Sequence, residues 1–157
     1  MGDIESQKKI RELCLRSLSR REHSQQELLE KLASKGFDRA ETQLIVDDLA
    51  AQGWQSNQRF AESYSRYRIK KGYGPIKIIC ELQQRGIEDY DLDEVVMDIA
   101  DGWGEVLDQV YVKKYPDDKE LTNKEWFKRN RFLQQRGFSG EMIKTLFKDL
   151  SIKLIYS

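Results

Sequence analysis

His23 is the only histidine of the chain, and Cys14 and Cys80 are its only cysteines. An imidazole beside a thiol can form a base–nucleophile pair, and with further donors the two can hold zinc. The spacing here argues against both. The cysteines lie 66 residues apart with no C-x-x-C, and one histidine cannot complete a zinc set with them. His23 falls in a polar segment expected to be a solvated turn between helices. Cys14, and Cys80 with it, is expected at an apolar helical position as a small core residue. No G-x-x-x-x-G-K-[ST], G-x-G-x-x-G or EF-hand loop occurs, and Gly72-Tyr73-Gly74 before Pro75 reads as a helix break. Between Glu88 and Asp108 stand nine acids and no base. These carboxylates read as a solvated face, or as a strip that repels or docks a charged partner. The expectation is a protein without catalytic residues, metal or cofactor.

What remains is binding chemistry. From Arg59 to Arg85 there are seven basic residues against two acids, Glu62 and Glu81. At about 100° per helical residue, Arg59, Arg66 and Lys70 share a narrow arc, with Phe60, Tyr64 and Tyr67 turned toward the core. Lys71, Tyr73, Lys77 and Arg85 extend the patch across a turn into the next helix. A second cluster holds Lys124, Lys128, Arg129, Arg131 and Arg136, with Lys124, Lys128 and Arg131 on one face at i, i+4, i+7. Such faces suit a polyanion or an acidic protein surface. Tyr73 could stack on a partner or pack within its turn.

The elements carrying these cations repeat. Leu32-Ala33-Ser34-Lys35-Gly36-Phe37 corresponds to Leu82-Gln83-Gln84-Arg85-Gly86-Ile87 and to Leu133-Gln134-Gln135-Arg136-Gly137-Phe138. Nine, ten and thirteen residues beyond each glycine sit Ile45, Val46 and Leu49, then Val95, Val96 and Ile99, then Leu146, Phe147 and Leu150. Each unit reads as a helix closed by a left-handed glycine at C′ and an apolar residue folding back. Capping pairs Asp38 with Glu41 and Asp91 with Glu94, and Ser139 alone, then start the next helix. Upstream helices carry Ile10, Leu13, Cys14 and Leu18, or Trp103, Val106, Leu107, Val110 and Tyr111. Ser24 with Glu27, Gly74-Pro75, and Thr122 with Glu125 start the second helix of each unit. The reading is all-α: three tandem three-helix modules near 6–53, 54–101 and 102–157, a repeat of about 50 residues, with no alternating strand pattern of useful length. Modules this small are marginal alone, which implies shared contacts and an elongated, curved stack.

Composition agrees. Charged residues make up 34% of the 157, above the usual quarter or so. Net charge is zero, but residues 1–75 hold 14 basic and 11 acidic groups, 76–123 hold 5 and 13, and 124–157 hold 8 and 3. Screening makes a partner sense these blocks rather than the sum. The longest uncharged run, Leu49 to Gln58, spans ten residues, far short of the ~20 a membrane helix needs. The acidic start without an apolar stretch, and the sparse cysteines, fit a cytoplasmic protein with reduced thiols.

The run Lys70-Lys71-Gly72-Tyr73-Gly74-Pro75-Ile76-Lys77-Ile78, continuing through Glu81-Leu82-Gln83-Gln84-Arg85-Gly86-Ile87, closely resembles the centre of the RecX family, bacterial regulators of the RecA recombinase. Ser24-Gln25-Gln26-Glu27-Leu28 with Lys31-Leu32, Gly53-Trp54 with Arg59-Phe60-Ala61, and Arg131-Phe132-Leu133 with Arg136-Gly137-Phe138 resemble it too, from about Ile10 to Leu150. RecX proteins often carry two acids where Ser56-Asn57 stand here, and the residues after Leu150 resemble nothing in the family. The resemblance implies tandem three-helix units and no catalytic residues. It also implies a monomer that binds RecA and its single-stranded-DNA filament, restraining filament growth, ATP hydrolysis, strand exchange and SOS co-protease activity, with direct DNA binding weak. The contacts expected are Arg59, Arg66, Lys70, Lys71, Tyr73, Lys77, Arg85, Lys124, Lys128, Arg129 and Arg131. The alternative is a helix-turn-helix-like module acting on DNA itself.

Overall fold

A computed structural model describes residues 4–155. Among them are nine α-helices: α1 (Ile4–Arg20), α2 (Gln25–Ser34), α3 (Arg39–Ala51), α4 (Asn57–Lys70), α5 (Pro75–Gln84), α6 (Asp93–Ile99), α7 (Trp103–Lys114), α8 (Asn123–Gln135) and α9 (Gly140–Asp149). By contact the chain forms two units, one from residues up to Tyr64 with Leu82–Asp89, the other from Ser65–Glu81 with Tyr90 onward.

In the first unit, α1, α2 and α3 close over Ile10, Cys14, Leu28, Leu29, Leu32, Val46 and Leu49, with Leu13, Leu18, Phe37 and Ile45 against that core. The apolar i, i+4 positions of α1 thus do what their spacing implies. A reciprocal capping box starts α2, the Ser24 hydroxyl accepting from the Glu27 amide and the Glu27 carboxylate from the Ser24 amide. Asp38 accepts from the Glu41 amide to start α3. In the second unit Thr122 and Ser139 cap α8 and α9 through the amides of Glu125 and Met142.

The repeated glycine performs one local task three times. Gly36, Gly86 and Gly137 have φ of +90°, +82° and +105°, where a Cβ is disfavoured. The residue after each returns its amide to the helix: Phe37 to the Leu32 carbonyl at 3.1 Å, Ile87 to Leu82 at 2.9 Å, Phe138 to Leu133 at 3.2 Å. This is the Schellman closure, and it satisfies carbonyls that the helix end leaves unpaired.

Several expectations are corrected. Asp91 does not cap α6 with Glu94: the helix starts one residue later, behind Leu92, which makes no side-chain cap bond, and the Asp91 carboxylate takes the Asp93 amide instead. Tyr67 is 55% exposed rather than core-facing, although Phe60 is buried. Cys80 is exposed, whereas Cys14 is buried and its thiol is pushed up to about 11, chiefly by desolvation. A short parallel pair also appears, β1 (Glu120–Leu121) beside β2 (Lys153–Leu154). With buried Leu121 and Ile152, it gives the segment after Leu150 a structural role that alternation could not signal in two residues.

His23 is buried, not solvated. Its Nδ1–H donates to the Arg21 carbonyl at 3.0 Å, and its own carbonyl accepts from Gln55. Desolvation lowers its pKa below the usual imidazole value, against the opposing hydrogen bond to Arg21. Above about pH 6.5 the ring is neutral whether folded or unfolded. As pH falls through that value the unfolded chain takes up the proton first, so the stability of the folded state falls with it. Thermal midpoints recorded from pH 7.5 down to pH 5 should therefore decline more steeply for the native chain than for His23→Gln. Parallel curves would remove His23 as the cause.

Candidate docking surface

Side chains of the second unit assemble the larger part of the basic surface. The end of α4 presents Lys70, and the turn that follows it Lys71, both exposed. With the final turn of α7, which ends in Lys113 and Lys114, they line a cleft of about 650 Å³ floored by Ile69, Val106, Val110 and Phe132. Arg136 closes its wall. A second hollow of about 530 Å³ is lined by Lys114, Lys124, Phe127, Lys128, Arg131 and Phe132, with Tyr115 and Gln135. Lys114 and Phe132 belong to both, so the cationic lining runs from the end of α4 to the exposed face of α8. Neither lining contains a carboxylate.

Lys113 and Lys114 escape a reading by charge blocks, because they fall inside the strongly acidic segment 76–123 and are swamped in its sum. Their position in the last helical turn, where cations complement the dipole, was the available signal. The acids divide off in space as well. Glu105 and Asp108 near the start of α7 line a separate hollow with Glu141 and Asp149 of α9, over Leu107, Met142 and Leu146.

The other expected contacts sort by their partners. Arg59 donates to the Gly53 and Trp54 carbonyls at the end of α3 and pairs with Glu22 at 3.1 Å. Arg66 pairs with Asp98 at 3.4 Å. Arg85 lies 3.6 Å from Glu27 and over the ring of Tyr64. In these three the charge is partly neutralised within the molecule. Lys70, Lys71, Lys77, Lys124, Lys128 and Arg131 make no salt bridge among the described residues, and such cations keep their field for a partner.

Two assignments change. Arg129 is not on the surface: it is 2% exposed, donating to the Tyr111 hydroxyl at 2.7 Å, Glu125 at 2.9 Å and Asp118 at 3.1 Å. Burial would lower its pKa, but these three bonds outweigh it and raise it. One residue beyond Lys128, the helical rotation carries the guanidinium inward. Tyr73 is packed rather than presented. The guanidiniums of Arg68 and Arg136 lie 3.7 and 4.1 Å from its ring centroid, and Arg68 forks onto Glu81 at 2.8 and 2.9 Å.

Tyr73 thereby marks a joint in the backbone. Arg136 donates to the carbonyls of Lys71 and Gly72. The Gly74 amide donates to the Arg136 carbonyl at 2.7 Å, and the Ile76 amide to the Gly137 carbonyl at 3.0 Å. The turn between α4 and α5 is bolted directly to the glycine turn after α8, which positions Lys70 and Lys71.

Tandem three-helix units in which the α4–α5 turn locks to the glycine turn after α8, bearing basic clefts whose linings hold no carboxylate, define a binding scaffold as the class suggested by the geometry. Comparison with known proteins then specifies it. Three family models match in order: the first three-helix domain of RecX over residues 11–49, the second over 56–96 and the third over 105–147. A protein of Legionella pneumophila named regulatory protein RecX is 37% identical over 137 residues, covering 87% of this chain and 91% of its own length. One of Halorhodospira halophila with the same name is 35% identical, covering 86% and 84%. The crystal structure of RecX from Lactobacillus salivarius superposes with a TM-score of 0.72 at 23% identity, over 95% of this chain and 99% of that one. The chain belongs to the RecX family.

Proposed function

We propose that this chain is a non-enzymatic cytoplasmic regulator that binds RecA, above all its filament on single-stranded DNA. It restrains filament growth, ATP hydrolysis, strand exchange and co-protease activity. Membership of the family supports the regulatory role. The observation that carries the site is the cationic lining shared by the two clefts, with Lys70, Lys71, Lys113, Lys114, Lys124, Lys128 and Arg131 around apolar floors. An apolar floor with a cationic rim suits an acidic protein surface that also offers something to bury. A binder that bridges neighbouring protomers favours one filament conformation and opposes the rearrangements that ATP turnover requires. The protein acts as a monomer, without cofactor.

The test is inhibition of the DNA-dependent ATPase of RecA by charge-reversed variants. Lys70→Glu, Lys71→Glu and Lys114→Glu combined should leave helicity intact and raise the concentration for half-inhibition about tenfold or more. Arg129→Lys, altering a buried group, should not change the half-inhibiting concentration of the folded fraction. Inhibition unchanged by the triple reversal removes this surface from the site. Binding to bare DNA should collapse with salt, by about 10³–10⁵ between 50 and 200 mM if six to ten phosphates are neutralised. Binding to the filament should resist salt better. A duplex bound as tightly as the filament would instead support the helix-turn-helix reading.

A further inference from the structure

Away from the cationic clefts, α7 and α9 leave a hollow of about 530 Å³ between them. Its floor is apolar: Leu107 and Leu146 are buried there, and Met142 is half-buried. Its rim carries charge of the opposite sign to the clefts. Glu105 and Asp108 stand on α7, Glu141 and Asp149 on α9, and no cation lines the hollow. Lys144 and Lys148 of α9 stay outside the lining. Asp108, Glu141 and Asp149 make no salt bridge among the described residues. Glu105 accepts from the Asp101 amide at 2.8 Å and the Gln109 side chain at 3.1 Å, neutral donors that leave its charge in place. Gly104 also lines the hollow, and a Cβ there would meet nothing within 4 Å. The mouth is open on that side.

We propose that this hollow docks a basic amphipathic helix of a partner protein. One apolar side chain of that helix enters over Leu107, Met142 and Leu146, and lysines or arginines about a turn to either side meet the rim carboxylates. The geometry selects this occupant over others. A metal ion needs converging ligands, and no group of three or more His, Cys, Asp or Glu among the described residues could hold one. A polyamine or an unstructured basic tail would satisfy the rim but leave the apolar floor wet. A neutral or acidic helix could cover the floor but would bring nothing to four carboxylates, or be repelled by them. Glu141 and Asp149 are eight residues apart on one helix, about 12 Å along its axis. That is two helical turns, the spacing of cations that flank a central apolar anchor on one helical face. The Met142 thioether, flexible and polarisable, can fit anchors of different shape. None of these residues lines the cationic clefts, so the inference stands apart from the RecA reading.

A labelled synthetic helix of roughly 18 residues, with leucines on one face and lysines a turn to either side, is the probe. Its fluorescence anisotropy with the full chain is read at about 150 mM salt, without RecA. The wild type should bind it at least about tenfold more tightly than a scrambled peptide of the same composition, which has equal charge but no apolar face. Glu141→Lys combined with Asp149→Lys should weaken binding about tenfold or more. Thr145→Trp, an uncharged block at an exposed position of the lining, should do the same, whereas Thr145→Ser should bind as the wild type does. Lys124→Glu with Lys128→Glu, outside the hollow, should not weaken it. All these substitutions are at exposed positions and should leave the thermal midpoint near the wild type's, and the contrast between the two peptides needs no variant. The proposal is overturned if the scrambled peptide binds equally, if the hollow variants bind as the wild type does, or if the helical probe does not bind. It is also overturned if sedimentation velocity shows the chain associating with itself in a way that Thr145→Trp abolishes, which would give the hollow to a second copy.

Discussion

Gly137→Ala is expected to destabilise the protein by at least about 3 kcal/mol, far more than the same change at Gly36. Both glycines close a helix in the left-handed region, at φ +105° and +90°, so both variants incur the strain of placing a Cβ there, about 1–2 kcal/mol. They differ in what the Cβ meets. At Gly36 nothing lies within 4 Å. At Gly137 a Cβ would stand 2.5 Å from the Lys77 Cβ, 2.8 Å from the Lys77 nitrogen and 2.9 Å from the Gly74 carbonyl oxygen. Two of those atoms are backbone and cannot swing aside. Relief requires the α4–α5 turn to move off, with loss of the amide bonds from Gly74 and Ile76. Each buried group left unpaired adds about 1–3 kcal/mol. Urea denaturation of the two variants measures the difference directly, and equal shifts would mean the two turns are not locked. Folded Gly137→Ala should also lose inhibition of RecA, because the same contact sets Lys70 and Lys71.

Arg129→Ala should cost about 3 kcal/mol, although it removes a charge that a surface reading would call dispensable. Three charge-assisted or hydroxyl acceptors lose their common donor, and charged hydrogen bonds contribute about 1.5–3 kcal/mol each. The sum is reduced because Asp118 and Glu125 are half-exposed, at 51% and 35%, and can rehydrate. The buried Tyr111 hydroxyl cannot. Tyr111→Phe should therefore cost less in the Arg129→Ala background than in the wild type, a coupling readable by a double-mutant cycle. Arg129→Lys should recover only part of the loss, since an ammonium on a flexible stem cannot serve three acceptors as a planar fork does. A denaturation midpoint unmoved by Arg129→Ala would contradict its buried role.

Much of the architecture is legible in the amino-acid order, because it depends on interactions within a few residues. The helix ends at Gly36, Gly86 and Gly137, and the caps at Ser24, Asp38, Thr122 and Ser139, are each decided by side chains no more than three or four positions apart. The apolar spacing of Ile10 and Cys14, and of Val106, Leu107 and Tyr111, shows which faces are buried. Where local signals weaken the reading slips, as at Asp91, which offers its carboxylate to the nearer Asp93 amide.

Tertiary structure decided which of the cations are available. Lys128 and Arg129 are neighbours in sequence, yet one faces solvent and the other is enclosed by groups on α7, α8 and the segment before β1. Lys113 and Lys114 join the surface only because the end of α7 lies beside α4 and α8. The carbonyl of buried His23 is taken up by the Gln55 side chain, 32 positions away. The meeting of Gly74 with Gly137 bridges 63 positions. Caps and helical faces are set by contacts close along the chain, whereas burial, pairing and the shape of a basic cleft are set by contacts far apart along it, which no periodicity encodes.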